Sequence, residues 1–265
     1  MTKTFKLVGL CLLTLSLTLS VASCCGNDDD DNNNGTNPGG TPATHAMSTS
    51  GRNIKTLTLS ESGDNVVANF TYDAQGRVTQ ENIDVDGEHM VTTYEYNDGT
   101  IVATRSANNA PYGTIVYTLT DGLVSNSVET DAEDPNNTYS YRYQYQDKCL
   151  TAFGDSDYMT SCSWTNGNLT GMDDGEVAIA YSTEATATSK IELWLLAEFD
   201  DLSLALQGYF GNGTKNRLAA ITNNFVGATF NVAYEVDNHG DPTHITISLS
   251  YGGETSVQEI DIVWE

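Results

Sequence analysis

The chain has 265 residues, of which 36 are acidic and 11 basic, giving a formal net charge of −25 and a pI near 4.1. A field of that sign repels nucleic acid and anionic lipid surfaces, so neither is an expected partner. Apolar residues make up 39% of the chain, and beyond the first 20 or so positions no apolar run is long enough to cross a bilayer as a helix.

Lys3 and Lys6 precede a 13-residue apolar run over 7–19, the pattern of a signal peptide spanning 1–23. It ends in Val21-Ala22-Ser23-Cys24, which resembles the lipobox of bacterial lipoproteins: small residues before a cysteine that is acylated and becomes the first residue after cleavage. The alternative is an ordinary cysteine behind a simple signal peptide. A diacylglycerol thioether plus an amide-linked chain such as palmitate supplies the two or more hydrocarbon chains that stable anchoring needs. The expected address is therefore the outer membrane, through a lipid anchor on Cys24. Asp28, Asp29, Asp30 and Asp31 resemble the acidic export signal of surface-exposed lipoproteins and point to the cell surface; a solvated linker is the rival reading.

Over 26–50 the chain is Asn, Asp, Gly, Thr and Pro with almost nothing to bury, so 24–51 reads as the lipidated cysteine and a disordered acidic tether. No acid precedes Cys24 and two basic residues do, so the mature chain holds 9 basic against 36 acidic residues, a net −27. The remaining stretch, 52–265, is long enough for one core and shows no internal linker, so it reads as a single β domain.

That domain is organised around Tyr72-Asp73-Ala74-Gln75-Gly76-Arg77-Val78, a turn between two alternating runs. Related turns follow Tyr96, Tyr117, Tyr145, Trp164 and Tyr234. Counted from Tyr72, the first four aromatic anchors (Tyr72, Tyr96, Tyr117 and Tyr145) are 24, 21 and 28 residues apart, room for two strands and two short turns each. Strands are expected near 54–60, 66–72, 77–85, 89–96, 100–106, 113–119, 122–130, 138–146, 148–153, 158–164, 168–173 and 176–182, then 226–236, 243–250 and 256–264. Most alternate, giving one dry face and one polar face, as in an antiparallel sheet. The fold class is mainly β: an antiparallel meander of hairpins rolled into a barrel-like shell. Leu195, Phe199, Leu202, Leu206 and Tyr209 recur at helical spacing, which predicts one helix over 195–209 inside that shell. A strand over 190–196 followed by a turn at Asp200-Asp201 is the rival.

Two local features admit a site. Tyr139, Tyr141, Tyr143 and Tyr145 line one face of a strand, either as core against the helix or as a ligand surface. If Gly154-Asp155-Ser156-Asp157 centres a hairpin, paired positions sum to 311 and Cys149 faces Cys162 at a non-hydrogen-bonded site. A cross-strand disulfide follows, with two facing thiols as the alternative. Cys25 has no evident partner.

The lipobox, the Tyr72–Val78 turn, Trp164-Thr-Asn-Gly-Asn-Leu169, Leu206-Gln-Gly-Tyr-Phe-Gly211 with Lys215-Asn216, and the closing Tyr234, Asp237, Gly240, Pro242 and Ile245 hairpin together resemble a Bacteroides-type lipoprotein family, the domain of unknown function 4595. The resemblance covers most of 52–265 and implies a porin-like β fold. It implies no activity, cofactor or catalytic residue.

Hydrolase elbows, zincin motifs and phosphate loops are missing. His239 and His244 beside Asp237 and Asp241 read as turn residues and not as a metal site, and no cofactor is expected. An integral membrane barrel needs a charge-free outer band, whereas Arg77 and Glu81 on one face of the 77–85 strand and Gln80, Asn82 and Asp84 on the other leave neither suited to lipid. The expected function is noncatalytic binding of a glycan or an envelope protein, with a structural or adhesive envelope role as the near rival and a glycan hydrolase as the distant one.

Overall fold

Sixteen antiparallel strands close on themselves, each paired with its sequence neighbour and the last with the first. The structure, a computed structural model, describes residues 45–48, 50–61, 64–85, 87–185, 189–197 and 201–265. The expected signal peptide, Cys24, Cys25, the Asp28–31 run and most of the tether lie outside the described residues. Chain order runs β1 (Ile54–Glu61), β2 (Asp64–Tyr72), β3 (Val78–Val85), β4 (Glu88–Asn97), β5 (Thr100–Ala107), β6 (Ala110–Thr120), β7 (Leu123–Asp131) and β8 (Thr138–Gln146). It continues through β9 (Cys149–Gly154), β10 (Met159–Thr165), β11 (Asn168–Met172) and β12 (Val177–Ala185). Two helices, α1 (Ser189–Ala197) and α2 (Leu202–Leu206), precede β13 (Asn216–Asn223), β14 (Ala228–Val236), β15 (Pro242–Tyr251) and β16 (Glu254–Trp264).

The turns explain the meander. Asp73 accepts hydrogen bonds from the backbone N–H of Gln75 and of Arg77, both at 2.9 Å, while Gly76 takes φ 78°. An Asx side chain closes the turn and glycine supplies the left-handed residue. The Asp237 turn repeats this, accepting from His239 N and Asp241 N.

Alternation sets inside and outside. On β16, Gln258, Ile260 and Ile262 are buried, while Val257, Glu259, Asp261 and Val263 are exposed. Glu95 on β4, Arg142 on β8 and Glu235 on β14 are likewise exposed. Charge thus lies on the outer wall at mid-strand, and the apolar side chains fill the lumen, the reverse of a barrel whose outer band meets hydrocarbon.

The 15 strands expected from sequence become 16, because β13, hidden behind the glycines that follow α2, is a further strand. The single helix expected over 195–209 is two. Asp201, at φ −124°, caps the second by accepting from Leu204 N at 2.8 Å. Its far end closes with Gly208 at φ 82°, where Gly208 N bonds Ala205 O and Tyr209 N bonds Leu204 O.

This connection plugs one end of the barrel. Gln207 donates to Gly76 O (2.7 Å) and His45 O (3.0 Å) and accepts from Val78 N (3.0 Å). Tyr209 O accepts from Val124 N, Asn212 N donates to Lys148 O, and Lys215 N donates to Gly167 O. Each contact reaches a turn at the same end. The chain's entry is stitched there too: Met47 is 1% exposed, His45 stacks on Tyr209 at 5.2 Å, and Arg52 pairs with Asp237 and Asp241. Packing therefore starts upstream of position 52. Asn53 and Glu265 exchange backbone hydrogen bonds of 3.3 and 2.9 Å beside it.

Inside the plug, Glu192 on α1 is 0% exposed, and neither of its oxygens finds a hydrogen-bond partner outside its own residue. Burial pushes its carboxyl up to about 8, against a smaller pull from its own backbone N–H and from Arg217. Arg217 is itself occupied, donating to Gly240 O at 2.8 Å and lying 5.3 Å over the Tyr234 ring.

Candidate functional site: a tyrosine-lined pocket over buried carboxyls

The cap of α2 places a carboxylate in the lumen. Asp201 Oδ2 accepts from Tyr117 OH at 3.1 Å, and Oδ1 lies 3.1 Å from Tyr94 OH. The same Tyr94 oxygen lies 3.1 Å from Glu81 Oε2, which also accepts from Ser203 Oγ at 2.9 Å. One phenolic proton cannot serve two carboxylates, so one of the two contacts is donated by a carboxyl. Burial, with Asp201 nearby, pushes Glu81 up to about 7, and burial also raises Asp201 against the pull of Leu204 N and Arg105. Burial thus disfavours charge on both members of the pair. Arg105, deep in the wall, donates to Glu129 at 3.2 Å; burial works against its charge, but Tyr117, Asp201 and Glu129 more than offset it.

Beside this network lies a pocket of about 260 Å³ counting its open mouth, lined by Ile115, Tyr117, Ser127, Glu129, Tyr141, Tyr143, Asp201 and Phe210. Strands β6, β7 and β8 form its wall and the plug its floor. Phe210 meets Tyr143 at 5.0 Å and, edge-on, Tyr117 at 6.4 Å.

The tyrosine strand divides between its two readings. Tyr145 and Tyr143 are half-buried against the core, and Tyr145 OH donates to Val124 O at 2.8 Å. Tyr141 is 37% exposed and Tyr139 57%, so the same face becomes accessible towards the end away from the plug.

The Cys149–Cys162 bridge is absent, and the pairing that suggested it is displaced. Thr160 faces Phe153 and Ser161 faces Ala152, positions that sum to 313 instead of 311. Asp155 causes the shift: its carboxylate accepts from Asp157 N and Tyr158 N, so the loop is 155–158 and not 154–157. Cys149 pairs with Gln146 on β8 instead.

His244 meets Asp261 at 2.7 Å, and Asp237 and Asp241 hold Arg52. Among the described residues, no group of three or more His, Cys, Asp or Glu is arranged to hold a metal. Reading the sequence for a site missed Glu81, Tyr94, Arg105, Tyr117, Glu129 and Asp201. A usable signal did exist for Glu81, which shares a strand face with Ile83 and so stands as a carboxyl on the dry side.

No family model matches the chain, and none of the curated proteins does. The resemblance to the lipoprotein family thus rests on the motifs. Among solved structures, the fold is similar to a porin-like protein from Bacteroides uniformis, with a TM-score of 0.61 at 16% identity over 80% of this chain and 98% of that one. It is also similar to a porin-like protein from Bacteroides vulgatus, with a TM-score of 0.54 at 12% identity over the same shares. The chain has a porin-like β-barrel fold.

Proposed function

We propose that this is a lipid-anchored outer-membrane lipoprotein, tethered through Cys24, whose barrel stands in water at the cell surface and binds a glycan without catalysis. Charges at mid-strand on the outer wall favour water over lipid, and the lipobox-like Val21–Cys24 supplies the attachment. The pocket carries the binding reading. Tyr141 at the pocket's mouth and Tyr139 beyond it are exposed, and rings of this kind suit stacking on a sugar. Asp201 lines the pocket too, but both its oxygens are committed to Leu204, Tyr94 and Tyr117, which favours a structural carboxyl over a catalytic one. A second reading, docking to an envelope protein, has support in the exposed rings of Tyr139, Phe225 and Tyr251 at the strand ends away from the plug.

A glycan array probed with the purified protein and its Tyr141→Ala variant tests the proposal. The expected result is retention of one glycan class by the parent and its loss by the variant, at an unchanged melting temperature. Silence of the parent across the array would move the assignment to the docking or structural role.

A further inference from the structure

The plug is tied to three residues that precede β1. His45 stacks on Tyr209 with ring centroids 5.2 Å apart, and its carbonyl accepts from Gln207 Nε2 at 3.0 Å. Ala46 O accepts from Lys190 Nζ at 3.4 Å, and the same ammonium donates to Gln207 O at 3.3 Å. Lys190 belongs to α1 and Gln207 closes α2, so two successive carbonyls hold both helices. Glu192, the other charged group of α1, has no hydrogen-bond partner outside its own residue. Met47 follows, 1% exposed, with Tyr72 OH donating to its Sδ at 3.4 Å.

This segment is held unequally along its length. Towards β1, Ser48 and Arg52 close a tight turn in which Ser48 Oγ accepts from Arg52 N at 2.9 Å and Ser48 O accepts from Gly51 N at 3.2 Å. Arg52 then pairs with Asp237 and Asp241, and β1 beyond it is laddered to β16 on one edge and β2 on the other. Residues 45, 46 and 47, by contrast, hold through single contacts that succeed one another along the chain. A pull arriving from the N-terminal side loads those contacts one at a time, and each is individually weak. The paired Arg52 and the ladder are loaded only after they have gone.

We infer that residues 45–47 are a strap that locks the plug, and that a pull on the chain upstream frees α1 and the turn after α2 before it strains any strand. The mechanical part rests on the tethering through Cys24, whereas the strap itself does not. With the strap off, Lys190 keeps only Gln207 O and Tyr209 loses the ring stacked on it. Asp201, still held by Tyr94 and Tyr117, keeps the start of α2 seated. Tension in the tether thus loosens one side of the plugged end and leaves the barrel closed.

Hydrogen exchange of the purified protein tests the strap. In a variant carrying His45→Ala and Met47→Ala, the amides of α1 should exchange about tenfold faster, the scale of one or two lost hydrogen bonds, with those of β5 and β6 unchanged. Lys190→Met cuts the tie from the plug's side, leaves 45–47 intact and should accelerate α1 likewise; if the double variant unfolds as a whole, this one decides. Parent-like exchange of α1, or acceleration shared equally by the strands, would overturn the strap. Optical tweezers holding the protein by its N-terminus and by the Asn108-Asn109 turn between β5 and β6 test the pull. A first step of about 10 Å, the length of three residues, should precede rupture of the barrel. Rupture with no earlier step would overturn the mechanical coupling. Cys24 found without an acyl chain in membrane-extracted protein would overturn the tethering alone and leave the strap standing.

Discussion

Replacing Glu192 by Gln should make the protein more stable, with a gain that grows with pH. The carboxyl is fully buried without a partner outside its own residue, and burial lifts it from its ordinary 4.5 to about 8. Below pH 4.5 it is protonated whether the chain is folded or not, so it opposes folding least there. As pH rises towards 8 the unfolded chain loses this proton first, and stability falls by about 1.4 kcal/mol per pH unit. The loss reaches about 3 kcal/mol at pH 7 and levels off near ~5 kcal/mol above pH 8. Glutamine keeps the shape and cannot ionise, so at neutral pH the variant should melt about 6–12 °C higher, given the size of the domain. Urea unfolding of parent and variant at about pH 5, 7 and 9 reads the effect as two curves that diverge. Parallel curves, or a variant weaker at every pH, would refute an unpaired buried carboxyl in the plug.

Tyr94→Phe removes the one phenol joining Glu81 to Asp201 and should cost about 1–3 kcal/mol of stability, read by urea unfolding; no loss would mean the two carboxyls do not depend on it. Gln207→Ala deletes the contacts to Gly76, Val78 and His45, and should cost about 2 kcal/mol while speeding hydrogen exchange at Val78 N–H. Gly154→Ala would set a Cβ 2.1 Å from the backbone oxygen of Tyr158. Something must shift, so a loss above about 2 kcal/mol, seen as a lower melting temperature, is expected.

Period-two patterning with Asx and Gly turns made most of the barrel legible, because local chemistry fixes both the turn and the face of each strand. Where a side chain chose between two equally polar corners the reading failed: Asp155 anchors the loop one residue later than the glycine suggested, and the Cys149 register moved with it. The break at Asp201 was equally hidden. Its value as a cap depends on Tyr94 and Tyr117, which arrive from strands about 80 to 110 positions upstream. The pocket is non-local for the same reason, since three strands and the plug must meet before Glu129, Tyr141 and Asp201 face one space. Only the tyrosine strand announced itself, and then only as a face with two possible uses.

The joining of entry and exit at the stitched base, through Asn53 and Glu265, fixes how such a molecule hangs. Moored by the proposed acyl group, it would stand base-down like a cup on a stalk, its lip turned to the medium. A stalk of some 20 residues reaches ~25 Å, and strands of this length add roughly 30 Å of height. On that proposal the lip would stand about 50 Å above the bilayer, clear of the lipid headgroups.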